Sequence, residues 1–199
     1  SADFNTETVE LSDEFSLVHI GSFLERRNPF SLWKAISELI SENEIFKNKV
    51  KIKLIGRVEQ SIINSLNEFN LDSYTDVAPY MDHQKVILEL KKSQVLLLPI
   101  DDFDGAKWVL TGKLFEYLAA KRPVLCIGPP DGDAAMVLSE TSAGVTYNFH
   151  DVNGIKKQLL EYFNLYLQKK LTLNSNSVDE YSRKQLTQKL AAILNEVTG

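Results

Sequence analysis

A glycine followed by two arginines marks one place where this chain could bind a diphosphate. Gly21 and Ser22 end a short apolar run, and Arg26 and Arg27 stand just before Asn28-Pro29, a pair that predicts a helix capped by Asn28. Backbone N–H groups at a helix start attract anions, glycine permits close approach, and guanidinium groups pair with phosphate oxygens. The alternative is a solvated basic loop, since such residues are mostly exposed.

A second phosphate-binding pattern lies at Thr111, Gly112 and Lys113, where a glycine and a cation open another predicted helix. Glu116 follows one helical turn later. A carboxylate there would repel a phosphate but would suit ribose hydroxyls, as acidic residues do in dinucleotide-binding folds. Lys113 and Glu116 could instead form an ordinary surface pair three residues apart on the helix.

Other kinds of site find little support in the sequence. The three histidines (His19, His83 and His150) and the single Cys126 stand far apart, so they lack the spacing of metal ligands. The sequence has no Gly-x-Ser-x-Gly elbow and no Gly-Lys-Ser/Thr phosphate loop. Tyr80 could flank a nucleobase from a further loop, or simply lie in an exposed turn.

Composition limits the class of protein. A chain of 199 residues, 44% hydrophobic, can form one sizeable α/β domain. The net charge of -5 disfavours nucleic acid as a partner, because binding its backbone normally requires a basic face. The longest apolar runs are far shorter than the roughly 20 residues of a membrane-spanning helix. Residues 1–14 are predicted to be a linker or the remnant of an upstream segment, and residues 15–199 the domain.

Strand and helix patterns alternate along that domain. Apolar runs predict strands at Phe15–Gly21, Val50–Gly56, Tyr74–Ala78, Val95–Pro99, Val124–Gly128 and Gly144–Tyr147, with amphipathic helices between them. The alternation predicts an α/β fold with a doubly wound parallel sheet covered on both sides. Both phosphate-binding patterns follow strands, and ligands of such sheets bind at the carboxyl ends of the strands.

Two helices are predicted to close the chain. The first runs from Asp151 to about Lys169, and the second begins with Ser177 and Glu180 as a capping box. The second helix carries an apolar stripe of Leu186, Leu190, Ile193, Leu194 and Val197. The stripe would either pack on this domain or partly cover a surface where another domain docks.

The segment from Gly112 to Leu125, GKLFEYLAAKRPVL, resembles the donor-binding segment of retaining glycosyltransferases of the GT-B fold, in the large glycosyltransferase family 4 (group 1). Three more segments occur in the order expected for that family: Gly21 to Pro29, Leu96 to Pro99 and Ser142 to Val145. The likeness spans about Phe15 to Phe149. It implies the Rossmann-like C-terminal half of a GT-B enzyme, which binds a nucleotide-sugar, without the N-terminal acceptor-binding half.

The resemblance also implies roles for the site residues. Glu116 would accept hydrogen bonds from the ribose hydroxyls, and the amides of Thr111, Gly112 and Lys113 would hold the diphosphate. Arg27, at the place of the family's usual lysine, would neutralise it. The family commonly has arginine after the first-strand glycine, where this chain has Ser22, and Arg26 would then compensate.

One position departs further from the family pattern. The family has two glutamates separated by seven residues; Glu116 matches the second, and Trp108 stands at the first. Since that first carboxylate ordinarily faces the sugar, the identity of the sugar stays open. Trp108 would pack against a sugar face or anchor its loop. The acidic residues Asp101, Asp102 and Asp104 would grip sugar hydroxyls or form a solvated loop.

The activity implied by the resemblance is transfer of a glycosyl group, with retention, to a saccharide or lipid-linked acceptor in polysaccharide biosynthesis. No cofactor and no metal are expected, and this fragment alone would be inactive because acceptor binding belongs to the missing half. The implied location is cytoplasmic, with any peripheral association with the inner membrane face made through that half. The alternatives are a non-catalytic nucleotide-binding or scaffold domain, which Trp108 and Ser22 favour, and a nucleotide-sugar epimerase-like enzyme.

Overall fold

The computed structural model describes residues 9–173, 178–181 and 183–198. Within these ranges the strands are β1 (Phe15–Ile20), β2 (Val50–Ile55), β3 (Thr75–Ala78), β4 (Val95–Pro99), β5 (Val124–Ile127) and β6 (Gly144–Tyr147). They form one six-stranded parallel sheet in the order β3-β2-β1-β4-β5-β6. This confirms the predicted strands to within a residue at each end.

Helices cover both faces of the sheet. They are α1 (Phe30–Glu42), α2 (Glu44–Lys47), α3 (Gln60–Glu68), α4 (His83–Lys92), α5 (Gly112–Ala120), α6 (Asp133–Glu140), α7 (Val152–Leu167) and α8 (Arg183–Thr198). One hydrophobic cluster packs α1, α3 and α7 on one face, and a second packs α4, α5 and α6 on the other. The doubly wound α/β fold is therefore confirmed.

The strand order reverses at the centre of the sheet. After β1 the chain moves outward to β2 and β3, then crosses back to place β4 on the other side of β1. Every residue of β1 and of β4 is buried, because helices cover both faces there. The connections that leave β1 and β4 diverge, and this reversal is where open parallel sheets form their ligand crevice.

The start of α1 differs from the sequence prediction. Pro29, not Asn28, occupies the capping position, and the Asn28 side chain does not accept from the first turn. Its Oδ1 accepts from Trp33 Nε1 at 2.8 Å, and its Nδ2 donates to Ser65 Oγ at 2.7 Å. The fully buried indole needs an acceptor, and Asn28 supplies it. The predicted cap was therefore wrong. Asn28 instead links the loop between β1 and α1, called the first loop below, to α3 by a hydrogen bond.

The two ends of the chain are described only in part. Residues 1–8 of the predicted linker lie outside the described ranges, whereas the Ser12 amide donates to the Lys92 carbonyl at 3.0 Å. Ser177 also lies outside them, and Glu180 belongs to a 3₁₀ turn that precedes α8. Of the predicted α8 stripe only the Leu194 side chain is described, and it is about half exposed. The partner of that stripe stays an open prediction.

Candidate functional site

The two predicted phosphate-binding stretches meet at Gly21, directly after β1. Gly21 has a φ of +102°, a conformation that favours glycine. The Lys113 side chain reaches over it from the first turn of α5. A Cβ on Gly21 would lie 2.7 Å from Lys113 Cε and 3.0 Å from Nζ. The backbone conformation therefore favours glycine at this position, and any Cβ there would also displace the end of the lysine side chain.

Lys113 is partly buried and hydrogen-bonded where its side chain crosses Gly21. We call this meeting point of the loop after β1 and the start of α5 the Lys113 corner. Its Nζ lies 3.2 Å from His19 Nε2 and donates to the Ser22 carbonyl at 3.3 Å. Burial, and then the charge of Arg27, lower the pKa of Lys113 from 10.5 to about 8. The carboxylates of Glu116 and Asp101 act in the opposite direction. Lys113 is thus still mostly protonated at pH 7.

His19 belongs to this corner, although the sequence indicated no role for it. It lies within β1 and is 1% exposed. Its Nδ1 lies 3.1 Å from the Leu97 carbonyl in β4. Burial, and then the charge of Lys113, lower the pKa of His19 to about 3, so the ring is neutral. The signal in the sequence that could have drawn attention to it was a histidine inside a mostly apolar strand.

The two arginines of the first loop share one carboxylate. Arg26 Nε lies 2.6 Å from Asp101 Oδ2, and Arg27 Nε donates to Asp101 Oδ1. The Asp101 side chain is only 13% exposed, against 65% for Arg26 and 21% for Arg27. Asp101 is therefore neither a solvated loop residue nor open to a sugar: it holds both guanidinium groups at the carboxyl end of β4.

Two further predicted residues border the same corner. The Tyr80 hydroxyl lies 3.0 Å from Ser22 Oγ, while the residue as a whole is 68% exposed. Glu116 is exposed on α5 and raises the pKa of Lys113 through its charge. The structure therefore gathers Gly21, Ser22, Arg27, Lys113, Tyr80 and Glu116, with Arg26 joined through Asp101.

The start of α5 opens to the outside. Among the described residues no side chain caps it, and Thr111 Oγ1 is buried without a described partner. A Cβ on Gly112 would have no described atom within 4 Å. The first N–H groups of a helix have no acceptor within the helix. Uncapped amides beside an empty approach, one residue from Lys113, can accommodate an anion.

In the described part of the chain, Trp108 makes no hydrogen bond, ion pair or ring contact with these residues. It ends the 3₁₀ turn Ala106–Trp108, which packs on α6, and it is 77% exposed. An indole with that exposure does not hold the loop by burial. Contact with a sugar face stays a proposal for this residue.

A cavity of about 420 Å³ lies on the α1 side of the first loop. Its walls include Arg26 and Arg27, the aromatic ring of Phe30, and Phe149 with His150 from the connection between β6 and α7. The open start of α5 is not part of it. Arg27 thus stands between this half-open, largely apolar cavity and the Lys113 corner.

The described ranges also yield two negative observations. No three His, Cys, Asp or Glu residues within them come together in a way that could hold a metal ion. None of the helices in the described part of the chain is long and apolar enough to cross a membrane.

Comparison with known proteins supports the architecture through structure rather than sequence. No family model and no curated protein sequence matches this chain. Solved structures that match include Staphylococcus aureus TarM in a complex containing UDP, with 15% identity, a TM-score of 0.71 and 96% of this chain covered. Sucrose-phosphate synthase from Thermosynechococcus elongatus matches with 14% identity, a TM-score of 0.69 and 93% coverage.

A third match is the pneumococcal O-GlcNAc transferase GtfA in complex with UDP and GlcNAc, with 16% identity, a TM-score of 0.63 and 95% of this chain covered. The chain has the fold of a GT-B half domain. It spans only 37% to 46% of the length of these three solved structures. At such low identity the likeness shows the fold alone, and function has to be argued from the site.

Proposed function

We propose that this chain is the donor-binding domain of a glycosyltransferase and that it binds the diphosphate of a nucleotide-sugar at the Lys113 corner. The observation that carries the proposal is the Lys113 ammonium, held over Gly21 beside the uncapped start of α5. This arrangement occurs at the strand-order reversal, where parallel sheets bind nucleotides. Two solved structures of the same fold contain UDP.

Each residue has a role in this proposal that follows from its chemistry. Lys113 and Arg27 would neutralise the diphosphate, and the free amides of Gly112 and Lys113 would donate to its oxygens. Glu116, exposed one turn further along α5, would accept from ribose hydroxyls. Tyr80 would border the base. Charge stabilisation of the departing diphosphate by fixed cations is the electrostatic task that a metal performs in other enzymes.

The remaining features of the enzyme are proposed on the basis of the family resemblance. Transfer would proceed with retention to a saccharide or lipid-linked acceptor held by a separate N-terminal domain. Any association with a membrane surface would belong to that domain. This chain alone would then bind the donor without transferring its sugar.

Titration of the chain with UDP, GDP and ADP by calorimetry tests the proposal. We expect binding of at least one nucleotide, unaffected by a metal chelator. Lys113→Met should weaken it at least tenfold, since charge-assisted hydrogen bonds contribute about 1.5–3 kcal/mol. Lys49→Met, at an exposed lysine just before β2, is the matched control and should bind normally. A folded sample that binds none of the three nucleotides would refute the proposal.

A non-catalytic domain of the same fold is the second candidate, and the pairing of both arginines with Asp101 favours it because that carboxylate already offsets part of their charge. Substituting Glu116→Ala in the full-length parent separates the two. A glycosyltransferase should lose most of its activity, whereas the biological role of a scaffold should not depend on this carboxylate.

A further inference from the structure

The Lys113 ammonium is held by a neutral imidazole. His19 is fixed on three sides: Nδ1 lies 3.1 Å from the Leu97 carbonyl, Nε2 lies 3.2 Å from Lys113 Nζ, and the ring packs on Phe23 with centroids 4.4 Å apart. These contacts connect β1, β4 and the first turn of α5 through one side chain. The ring is 1% exposed.

The hydrogen-bond directions in this chain of groups follow from chemistry. A carbonyl oxygen can only accept, so the contact with Leu97 favours the tautomer in which His19 Nδ1 carries the proton and donates. In that tautomer the other nitrogen, Nε2, has a lone pair and accepts from the Lys113 ammonium, which also donates to the Ser22 carbonyl close to the ring. A protonated imidazole could not do this, because it has no acceptor and would repel the neighbouring charge.

The neutrality of the acceptor matters for the charge of the site. Besides the Ser22 carbonyl, four side chains act on Lys113: His19 from β1, Arg27 from the loop after β1, Asp101 from the loop after β4, and Glu116 from α5 itself. Asp101 is already engaged by the arginines. A carboxylate in place of His19 would pair with the ammonium and cancel its charge. An imidazole fixes the position of the ammonium without adding a negative charge beside it.

We propose that His19 is a positioning residue of the diphosphate site: as a neutral acceptor it fixes the Lys113 ammonium over Gly21, where that ammonium meets the ligand. The inference rests on the proposed function, since it assigns His19 a task in that same site. His19 would act only through Lys113, because its ring is buried beside the Lys113 ammonium.

Nuclear magnetic resonance of the ligand-free chain, labelled with ¹⁵N in histidine, tests the hydrogen-bond arrangement without any nucleotide. We expect the buried histidine to show a protonated Nδ1 and an unprotonated Nε2 throughout pH 5 to 8. The signal is assigned by its loss in His19→Gln. An Nε2–H tautomer, or protonation near pH 6, would overturn the inference because neither state can accept from Lys113.

Calorimetric titration with UDP at pH 7 tests the positioning role. His19→Phe fills the space without an acceptor, so Lys113 Nζ is no longer fixed. UDP should then bind about tenfold more weakly, the loss expected when the charge-assisted hydrogen bond between Lys113 and the diphosphate is lost. His19→Gln can place an amide oxygen near the position of Nε2. Its UDP affinity should stay within about threefold of the wild-type affinity, a smaller change than the loss of a charge-assisted hydrogen bond would cause. A purely structural role would predict no such rescue.

Ser16→Ala is the matched control, because Ser16 is also a buried polar residue of β1 but hydrogen-bonds to the Gln94 amide instead. It should bind UDP normally. If His19→Phe does not fold, the tautomer measurement and the UDP affinity of His19→Gln still test the positioning role. Equal UDP affinity of the wild type and His19→Phe would overturn the positioning role alone. Absence of UDP binding by the folded wild type would overturn the proposed function and the positioning role with it.

Discussion

Lys113 should destabilise the fold at neutral pH, and its replacement by methionine should reveal this. The pKa of Lys113 is lowered from 10.5 to about 8 in the folded chain, chiefly by burial. A pKa difference of one corresponds to about 1.4 kcal/mol, so the complete shift would correspond to about 3 kcal/mol. Part of the side chain remains exposed, and solvent screening reduces this value to roughly 2 kcal/mol.

The pH dependence gives the sign of the effect. Below pH 8 both folded and unfolded chains carry the Lys113 proton, so the penalty is fully present. Between pH 8 and 10.5 the folded chain loses the proton while the unfolded chain keeps it, and stability therefore rises with pH. Methionine has no charge to lose. The wild type should thus gain about 1 kcal/mol relative to Lys113→Met between pH 7 and pH 9.5.

Urea unfolding of both proteins at the two pH values measures this difference. Comparing the two pH values isolates the charge, because hydrogen bonds lost in Lys113→Met contribute similarly at each pH. Lys49→Met should show no such change relative to the wild type. If the difference in unfolding free energy between the wild type and Lys113→Met is the same at pH 7 and pH 9.5, the claim that a desolvated ammonium lies at this site is refuted.

Three other substitutions have defined outcomes. Gly21→Ala should lower the free energy of unfolding by about 1–3 kcal/mol through backbone strain and should weaken UDP binding by displacing Lys113, as thermal unfolding and calorimetry would show. Arg122→Met should cost about 2–4 kcal/mol in urea unfolding, because the buried guanidinium donates to the carbonyls of Ser93, Gln94 and Leu171. Asp101→Asn should raise UDP affinity roughly two- to fivefold by releasing both arginines of the first loop, and unchanged affinity would contradict that competition.

Sequence patterns were sufficient for the fold because strand burial and helix periodicity are local properties. The run Val95–Pro99 lacks alternation since helices cover both faces of β4, and this made the strand identifiable. The four-residue helix α2 was missed because a single turn has no period to detect. It places Phe46 against Phe15 and Phe163, with ring centroids 5.9 Å and 5.0 Å away.

The site could be predicted as two separate loops but not as one place. Gly21 and Lys113 are far apart in the sequence, and only the adjacency of β1 and β4 brings them into contact. The pairing between side chains from different loops could not be predicted for the same reason. The acidic loop after β4 predicted solvated or sugar-binding carboxylates, whereas Asp101 is the partner of both arginines. Pairings of this kind depend on which strands are neighbours.

Each cation of the proposed site carries positive charge that a bound diphosphate would help to balance. Lys113 is desolvated, and its buried acceptor His19 is neutral, so its charge is not cancelled by that contact. Arg26 and Arg27 share a single carboxylate, which leaves one more positive charge than negative in that group. A ligand with two or more negative charges would pair with the desolvated Lys113 and would also balance the excess positive charge of the arginine pair. Lys113 at an open helix start, with an incompletely balanced arginine pair nearby in a chain of net charge -5, is the physical reason to expect an anion there.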